Sequence, residues 1–420
     1  MRWFLSLFLL VPVSLAAQQS LSLDEFRAEV LAYSNEMQMA RSRQSATRQQ
    51  SRVAQTNLWP DLSLSVDADY MLRNRKDILG SSLKHYNYGA VATVSQTLLG
   101  GESKSAYHIA RINELIATVG ADAEYAQVVH AAETAYWSAA AAVERLAVVR
   151  RYEDIVRRLY EVVKVRYEDG YVAKNDLLMV SARLNEARMQ LVEAEYHRKS
   201  VMLQINNMMG YEHYVDFALA DTIATPVVMP TEVALMTALR SRADYERASL
   251  EVDLRGNEVE HAKSQYNPTV SLGMQALWST PTVNTNGTGE WDGMVFARIS
   301  VPIFHWGARK HTVNAARYAV AESRYAQRAV EDAIALELAE ALTAIEQNRL
   351  QLSISTSNLG SVVENLSLST FAYTEGKIPI LDVLQSQLSW IQAYTAYVEA
   401  HYQLKTAVVD YRYAAGEFEP

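Results

Sequence analysis

The chain has 420 residues, a formal net charge of −9 at pH 7 and no cysteine. Without thiols it forms no disulfide, no thiolate metal site and no lipid-modified N-terminal cysteine, and its negative charge argues against nucleic-acid binding. A chain of this length ordinarily divides into two or three domains.

The N-terminal segment has the features of an export signal. Arg2 precedes an apolar run at 3–13, and the small residues Ser14 and Ala16 occupy the −3 and −1 positions of a cleavage site. The apolar run is too short to span a bilayer, which takes about 20 residues. We therefore predict that 1–16 is a secretory signal peptide that is removed on export.

The next segment predicts a polar helix followed by membrane-length strands. Ser22 and Glu25 have the spacing of a capping box, and the helix is expected to run to about Leu58. Strict alternation of apolar and polar residues then predicts strands. Strands are predicted at about 61–73, 86–99, 269–280 and 291–302.

The alternation is compatible with a soluble sandwich or with a membrane barrel. The strands are close to the 9 to 11 residues that cross a bilayer, and Asp61, Asp67 and Asp69 share the polar face of the first strand. Carboxylates on that face are typical of a water-filled lumen, so we favour the barrel. The smallest such barrels have about eight strands, so four strands require several copies of the chain, and a symmetric trimer would supply twelve.

Two long helical runs follow the strand pairs. Neither 102–169 nor 308–375 contains proline, and each would extend about 100 Å as one helix. Their internal glycines, Gly120 and Gly360, are candidate positions for a break. The returning helices, at 176–209 and 382–415, carry apolar residues at alternating spacings of three and four. This heptad pattern predicts coiled-coil packing, that is, long antiparallel helical hairpins.

The two halves of the chain repeat each other. The stretch "YEDGYVAKNDLL" at 167–178 corresponds to "YTEGKIPILDVL" at 373–384, and Gly170 and Gly376 are 206 positions apart. The same offset separates Gly101 from Gly307 and Gly210 from Gly416. A constant offset over such distances indicates duplication. We predict a first structural repeat at 17–210, a linker at 211–230 that contains Pro226 and Pro230, a second repeat at 231–416 and a short tail at 417–420.

Three pairs of motifs resemble the TolC-type outer-membrane efflux family. They are the strands "PDLSLSV" and "PTVSLGM", the strand-to-helix junctions "VSQTLLGG" and "ISVPIFHWG", and the tip pattern of glycine, five residues, then aspartate before a heptad helix. The resemblance implies a mainly α protein with membrane β-structure. In this family a homotrimer combines an α-barrel of helical hairpins with a twelve-stranded transmembrane β-barrel.

The resemblance also implies a location and a function. The barrel would lie in the lipid bilayer of the cell outer membrane, with the helical part in the periplasm. The protein would be the exit duct of a tripartite efflux or type I secretion system. Its expected partners are a periplasmic adaptor and an inner-membrane transporter, with no nucleic acid and no cofactor.

The tips of the hairpins are the expected functional site. Gly170 and Gly376 are predicted to end helices with positive φ. In the family, the second tip forms a gate, and Asp382 matches an aspartate that rings the axis. A second family aspartate is replaced by Gln385, and Tyr373 matches a tyrosine whose partner positions are Asn175 and Asp176.

One departure concerns how the gate is held. A family arginine corresponds to Ile378, so the resemblance leaves open whether ionic contacts or packing keep the gate closed. The residue types allow a simpler role for Asp176 and Asp382, because a carboxylate near a helix start can accept free backbone N–H groups. Contacts to the adaptor are expected at Gly170, Tyr171, Val172, Gly376, Lys377 and Ile378.

Other classes fit the sequence less well. It contains no G-x-S-x-G, Walker or H-E-x-x-H motif, so we predict neither an enzyme nor a metal site. A periplasmic adaptor or a soluble coiled-coil scaffold would also carry long helices. An adaptor, however, has one hairpin between two parts of a small β domain, without the duplication.

Overall fold

The computed structural model describes residues 20–73, 80, 85–280 and 289–418. The predicted signal peptide at 1–16 therefore lies outside the described residues. Strand β1 (Ser20–Leu21) opens the described part and pairs in parallel with β4 (Ala218–Leu219).

Two helices occupy the segment for which one was expected. Helix α1 covers Leu23–Tyr33, and its predicted capping box is present, because Ser22 Oγ accepts from Glu25 N–H at 3.3 Å. The prediction of one helix to about Leu58 was wrong, since Ser34 leaves the helical conformation with ψ at 122°. Its hydroxyl accepts from Met37 N–H at 3.2 Å, and a new helix, α2, covers Asn35–Thr56. Serine at this point ends one helix and caps the next.

The four long strands form one antiparallel sheet. They are β2 (Asp61–Tyr70), β3 (Tyr86–Leu99), β5 (Thr269–Ser279) and β6 (Glu290–Ser300), in the order β2-β3-β5-β6. The pairing of β3 with β5 joins the two repeats edge to edge. Strand β2 ends three residues before the expected Arg73.

The alternation places the apolar side chains on one face of this sheet. Leu62 lies opposite Val94, Val94 opposite Met274, and Met274 opposite Val295, so all four belong to the same face. The aliphatic residues of β2 are exposed on this face. An apolar sheet face of this extent needs an apolar environment that the chain itself does not provide.

Long helices make up the rest of the chain. They are α3 (Gly101–Glu168), α4 (Lys174–Met208), α7 (Ala308–Thr374) and α8 (Ile380–Ala414), with α5 (Leu235–Ser241) and α6 (Ala243–Ser264) between the repeats. The expected breaks at Gly120 and Gly360 were wrong, because both glycines lie inside continuous helices. A single glycine costs a helix only about 0.5–1 kcal/mol, which the neighbouring turns offset. None of the described helices combines the length and apolarity needed to cross a membrane.

The chain forms two compact units that do not coincide with the repeats. One contains the residues up to Met37, Glu124–Ser241 and those from Ala335 onward. The other contains Gln38–Ala123 and Arg242–Ile334, which include the sheet. Each unit therefore takes equivalent parts from both repeats.

The heptad positions form the core of the first unit. On α4, Val180, Leu184 and Ala187 are buried, as are their counterparts Ser386, Trp390 and Ala393 on α8. These buried stripes confirm the coiled-coil packing predicted from the spacing.

A buried carboxylate links three helices of the same unit. Glu133 on α3 is 1% exposed and accepts from Arg27 on α1 at 3.3 Å and from Arg412 on α8 at 3.0 Å. Each carboxylate oxygen thus has its own guanidinium partner. A charge in this position is tolerated because both partners remain in place.

We expect Glu133→Ala to lower the free energy of unfolding by about 1.5–3 kcal/mol, because it removes two hydrogen bonds to a buried charged group. Arg27 and Arg412 keep Asp24 and Glu417 as partners. Asp216→Ala removes a carboxylate that pairs with Arg198 and is more exposed than Glu133. It should lower the free energy of unfolding by about 0–1 kcal/mol. Denaturant unfolding of the purified protein, followed by circular dichroism, compares the two. Equal losses would show that the buried pair has no special weight.

Candidate functional site: the paired hairpin tips

The first tip is a glycine-terminated turn between α3 and α4. Gly170 has φ of +79°. Its N–H donates to the carbonyl of Tyr167 at 3.0 Å, and the N–H of Tyr171 donates to the carbonyl of Arg166 at 2.8 Å. This pair of bonds is the Schellman arrangement, which closes the end of a helix.

The second tip repeats the arrangement between α7 and α8. Gly376 has φ of +70°, and its N–H donates to the carbonyl of Tyr373 at 3.0 Å. The N–H of Lys377 donates to the carbonyl of Ala372 at 2.8 Å. The positive φ predicted for both glycines is confirmed, and the same motif stands at the same offset.

The glycines at the other ends of the returning helices have an additional constraint. Gly210 and Gly416 also have positive φ, +78° and +75°. A Cβ on Gly210 would lie 2.2 Å from the ring of Tyr33, and one on Gly416 would lie 2.8 Å from Ser241. Around Gly170 and Gly376 no atom lies within 4 Å of that position. At the tips, therefore, only the backbone conformation requires glycine.

The two aspartates occupy equivalent places at the starts of α4 and α8. Each stands three residues after the N-cap residue, Ala173 or Pro379, whose side chain makes no capping bond. Asp176 is half-buried and Asp382 is exposed. Within the described residues neither carboxylate has a hydrogen bond or an ion pair, so the capping role is not formed through the side chains.

The other predicted gate residues lie close by in sequence and differ in exposure. Gln385, one turn after Asp382 on the same side of α8, is exposed, as is Asn175. Tyr373 is only 5% exposed and belongs to the core that the two tips share. That core consists of Leu159, Val163, Val180, Tyr373, Ile380, Val383 and Leu384.

The Tyr373 hydroxyl is buried without a hydrogen-bond partner among the described residues. The expected bond to Asn175 or Asp176 is therefore not made within this chain. Burial raises the pKa of the Tyr373 hydroxyl, the guanidinium of Arg166 opposes that rise, and the carboxylate of Asp176 adds to it. Asp176 is thus near enough to act on the hydroxyl electrostatically.

Sequence reasoning missed Arg166. From the last turn of α3 its guanidinium donates to the carbonyl of Tyr373 at 3.2 Å and to the carbonyl of Thr374 at 2.7 Å. It also lies 5.0 Å from the centre of the Tyr373 ring. One signal in the sequence could have identified it. The residue at the equivalent position of the second repeat is Ala372, so a charged residue stands at this position in only one of the two repeats.

The residues expected to contact an adaptor are mostly accessible. Gly170, Tyr171, Gly376 and Lys377 are exposed. Val172 and Ile378 are half-buried and pack against the shared core.

An apolar groove of about 550 Å³ runs beside the tips between α3 and α7. Val162, Val363 and Phe371 line it and are exposed. Lys377 reaches to 5.9 Å from the centre of the Phe371 ring. The described residues contain no group of three potential metal ligands.

Membrane-length strands with an apolar face, joined to duplicated long hairpins, define an outer-membrane channel protein. Residues 27–211 and 234–417 match the family model of the outer membrane efflux protein, and the chain belongs to that family. The family predicted from the motifs is thereby confirmed.

Individual relatives agree with this assignment. Protein CyaE of Bordetella pertussis (strain Tohama I) is 23% identical over 388 residues, which are 89% of this chain and 81% of the relative. The CusC crystal structure has a TM-score of 0.83 at 16% identity, over 94% of this chain and 91% of that one. The Campylobacter jejuni CmeC outer membrane channel has a TM-score of 0.81 at 18% identity, over 94% and 86%. At these identities the solved structures establish the shared fold.

The expected fold class, location and role are confirmed with the family. The chain is an outer-membrane exit duct of efflux or secretion systems. Its family consists of channels. Membership of this family implies an adaptor and an inner-membrane transporter as partners. The periplasmic adaptor and the soluble scaffold are set aside as identities for this chain.

Two matched glycine substitutions test the tip geometry. Gly376→Ala should lower stability by about 1–2 kcal/mol, because an L side chain is strained at positive φ. Gly360→Ala, inside α7 and also in open space, should raise it by about 0.5–1 kcal/mol. The midpoints of thermal unfolding followed by circular dichroism compare the two variants. A stabilised Gly376→Ala protein would contradict the left-handed turn.

Proposed function

We propose that the chain acts as a homotrimeric duct whose periplasmic end is gated by a ring of Asp382 side chains. The main support for this gate is the environment of the Asp382 side chain. Its carboxylate is exposed and has no partner among the described residues, although the turn that bears it is anchored in a buried core. Three such carboxylates around one axis would favour cations over anions.

Support for self-association comes from an unpartnered stripe on α4. Its exposed apolar residues fall on positions of one 3,4 alternation, which places them on one face of the helix, although polar residues stand at some of the intervening positions. They are Leu178, Met189, Val192, Tyr196 and Leu203.

Comparison of the two repeats supports one surface as the partner of this stripe. Val192 is 51% exposed, whereas its counterpart Val398 on α8 is 4% exposed and packs in one core with residues of α3. The partner face differs in the same sense, since Val148 on α3 is 3% exposed and its counterpart Ile354 on α7 is 69% exposed. The contact that α3 makes with α8 within the chain thus has an unfilled equivalent between α4 and α7. A neighbouring copy supplies it in a closed ring.

The sheet supports the same assembly. Strands β2 and β6 are its edges and leave backbone groups unpaired, which is unfavourable in lipid. Three copies would close these edges in a twelve-stranded barrel, as the family implies. Aromatic residues at both ends of the sheet are typical of the two membrane interfaces. They are Tyr70, Tyr86, Trp278 and Trp291 at one end, and Trp59, Phe304 and Trp306 at the other.

Tyr373 and Asp176 would contact each other in the closed state of the gate. A buried hydroxyl without a partner costs about 1–3 kcal/mol, so a small movement that brings Asp176 or Asn175 into reach would be favourable. Asp382 and Gln385 would line the narrow end on α8. The gate is then held by packing together with hydrogen bonds.

The exposed tips are the proposed docking site of the periplasmic adaptor. Tyr171 and Lys377 project from the two turns, and the apolar groove at Phe371 lies beside them. A helical hairpin with apolar residues at heptad spacing fits such a surface. The inner-membrane transporter would be coupled through that adaptor.

The proposed subunit contact predicts that Val192→Glu weakens trimer formation. A glutamate buried in each α4–α7 contact should reduce self-association more than tenfold, which is about 1.4 kcal/mol per contact. Gln190→Glu, an equal charge at an exposed position two residues earlier on another face of α4, should leave the trimer intact. Native mass spectrometry of the detergent-extracted protein measures the assembly, and a stable Val192→Glu trimer would exclude this interface.

The proposed ring predicts altered ion selectivity in planar bilayers. Asp382→Ala should reduce the preference for cations by about tenfold, or 1.4 kcal/mol, and weaken block by multivalent cations. Asp176→Ala removes the equivalent carboxylate of the first tip and serves as the matched control, with a smaller effect expected. Unchanged ion selectivity and unchanged block in the Asp382→Ala channel would contradict the proposed ring of carboxylates.

A further inference from the structure

We propose that Arg166 is a positioning residue of the gate, which holds the second tip against the first and so favours the closed duct. The inference rests on the proposed gate at Asp382 and adds a residue that regulates it. Arg166 does not line the ring. It acts on the turn that carries the ring.

The guanidinium forms a fork on the end of α7. One nitrogen donates to the carbonyl of Tyr373 at 3.2 Å and the other to the carbonyl of Thr374 at 2.7 Å. The last four carbonyls of a helix have no partner within it. The carbonyl of Tyr373 already accepts from Gly376 N–H, so Arg166 adds a second donor there and supplies a donor to the carbonyl of Thr374.

The side chain also fixes the orientation of Tyr373. Its guanidinium carbon lies 5.0 Å from the centre of the tyrosine ring, a cation–π distance. Tyr373 in turn packs in the shared core with Val383 and Leu384, the two residues that follow Asp382 in the sequence. A displacement of Arg166 is thus transmitted to the start of α8.

The positive charge of Arg166 is favourable at the ends of both helices that it contacts. Arg166 lies in the last turn of α3 and reaches the last turn of α7, so it meets the negative ends of two helix dipoles. Lysine could keep the charge, but its single ammonium lacks the planar fork that binds two carbonyls at once.

The contact has no reciprocal in the other repeat. The counterpart of Arg166 is Ala372, which cannot donate to the end of α3. The first hairpin therefore binds the second without a reciprocal bond. This asymmetry means that Arg166 controls the position of the second tip.

Opening of the duct would separate the hairpins and break both bonds of the fork. We expect Arg166→Gln to raise the ratio of open to closed channels about tenfold, which corresponds to 1.4 kcal/mol. Arg166→Lys should give a smaller increase, because it retains the charge and loses the fork. Single-channel recording in planar bilayers measures the ratio, after native mass spectrometry has confirmed the trimer.

The chain offers a close control. Lys164 lies two residues earlier, is exposed and has no side-chain hydrogen bond, ion pair or ring contact among the described residues. Lys164→Gln removes the same charge from the same helix end and should leave the open ratio unchanged. An equal effect of both substitutions would assign the result to charge alone and overturn the clamp.

A reversible cross-link separates loss of the clamp from damage to the tip. Because the chain has no cysteine, the double variant Arg166→Cys with Thr374→Cys carries one reactive pair. A short bis-methanethiosulfonate linker should return the open ratio to that of the unmodified protein, and reductant should raise it again. A linked protein that stays open would overturn the proposal.

The outcomes also separate this proposal from the gate itself. If Asp382→Ala changes selectivity and Arg166→Gln leaves the open ratio unchanged, the clamp is wrong and the gate stands. If Arg166→Gln opens the channel and Asp382→Ala has no effect, the clamp stands and the ring is wrong. No change in either variant excludes both.

Discussion

The structure depends on the reversal of two very long helices by glycines in the left-handed conformation. Gly170 and Gly376 end α3 and α7 with the same pair of backbone bonds, and the returning helices can pack only because the chain turns there. A helix of such length gains little stability by itself and needs a packed face. The buried stripes of α4 and α8 provide that face, and the tip core closes it at its end.

The two hairpins are nearly equivalent, and the proposed function rests on the differences between them. Equivalent positions are buried on α8 and exposed on α4, and this difference is the basis of the proposed contact with a neighbouring copy. The tips differ in the same way. Arg166 lies on one hairpin and binds the other, whereas its counterpart Ala372 has no side-chain donor for the reverse contact.

Particular residues show how far the sequence could be interpreted. Strict alternation identified the strands and their apolar face, because side chains on a strand repeat every second residue. The turn glycines were predicted because few other residues adopt positive φ. The break at Ser34 was missed, since a serine in a polar helix is compatible both with continuation and with a new cap. The continuity at Gly120 and Gly360 was missed because the neighbouring turns of a long helix outweigh the weak local preference of one glycine.

The sequence by itself determined the matching offsets of the two halves, the order of long strands and long helices, the heptad stripes and the left-handed turns, because each depends on local spacing or on one residue's backbone freedom. Only the tertiary structure decided which partner each side chain meets. Tyr373 was expected to bond the first tip through Asn175 or Asp176, yet its carbonyl and ring are held by Arg166. Such contacts join residues more than 200 positions apart, and their geometry exists only once the hairpins have packed.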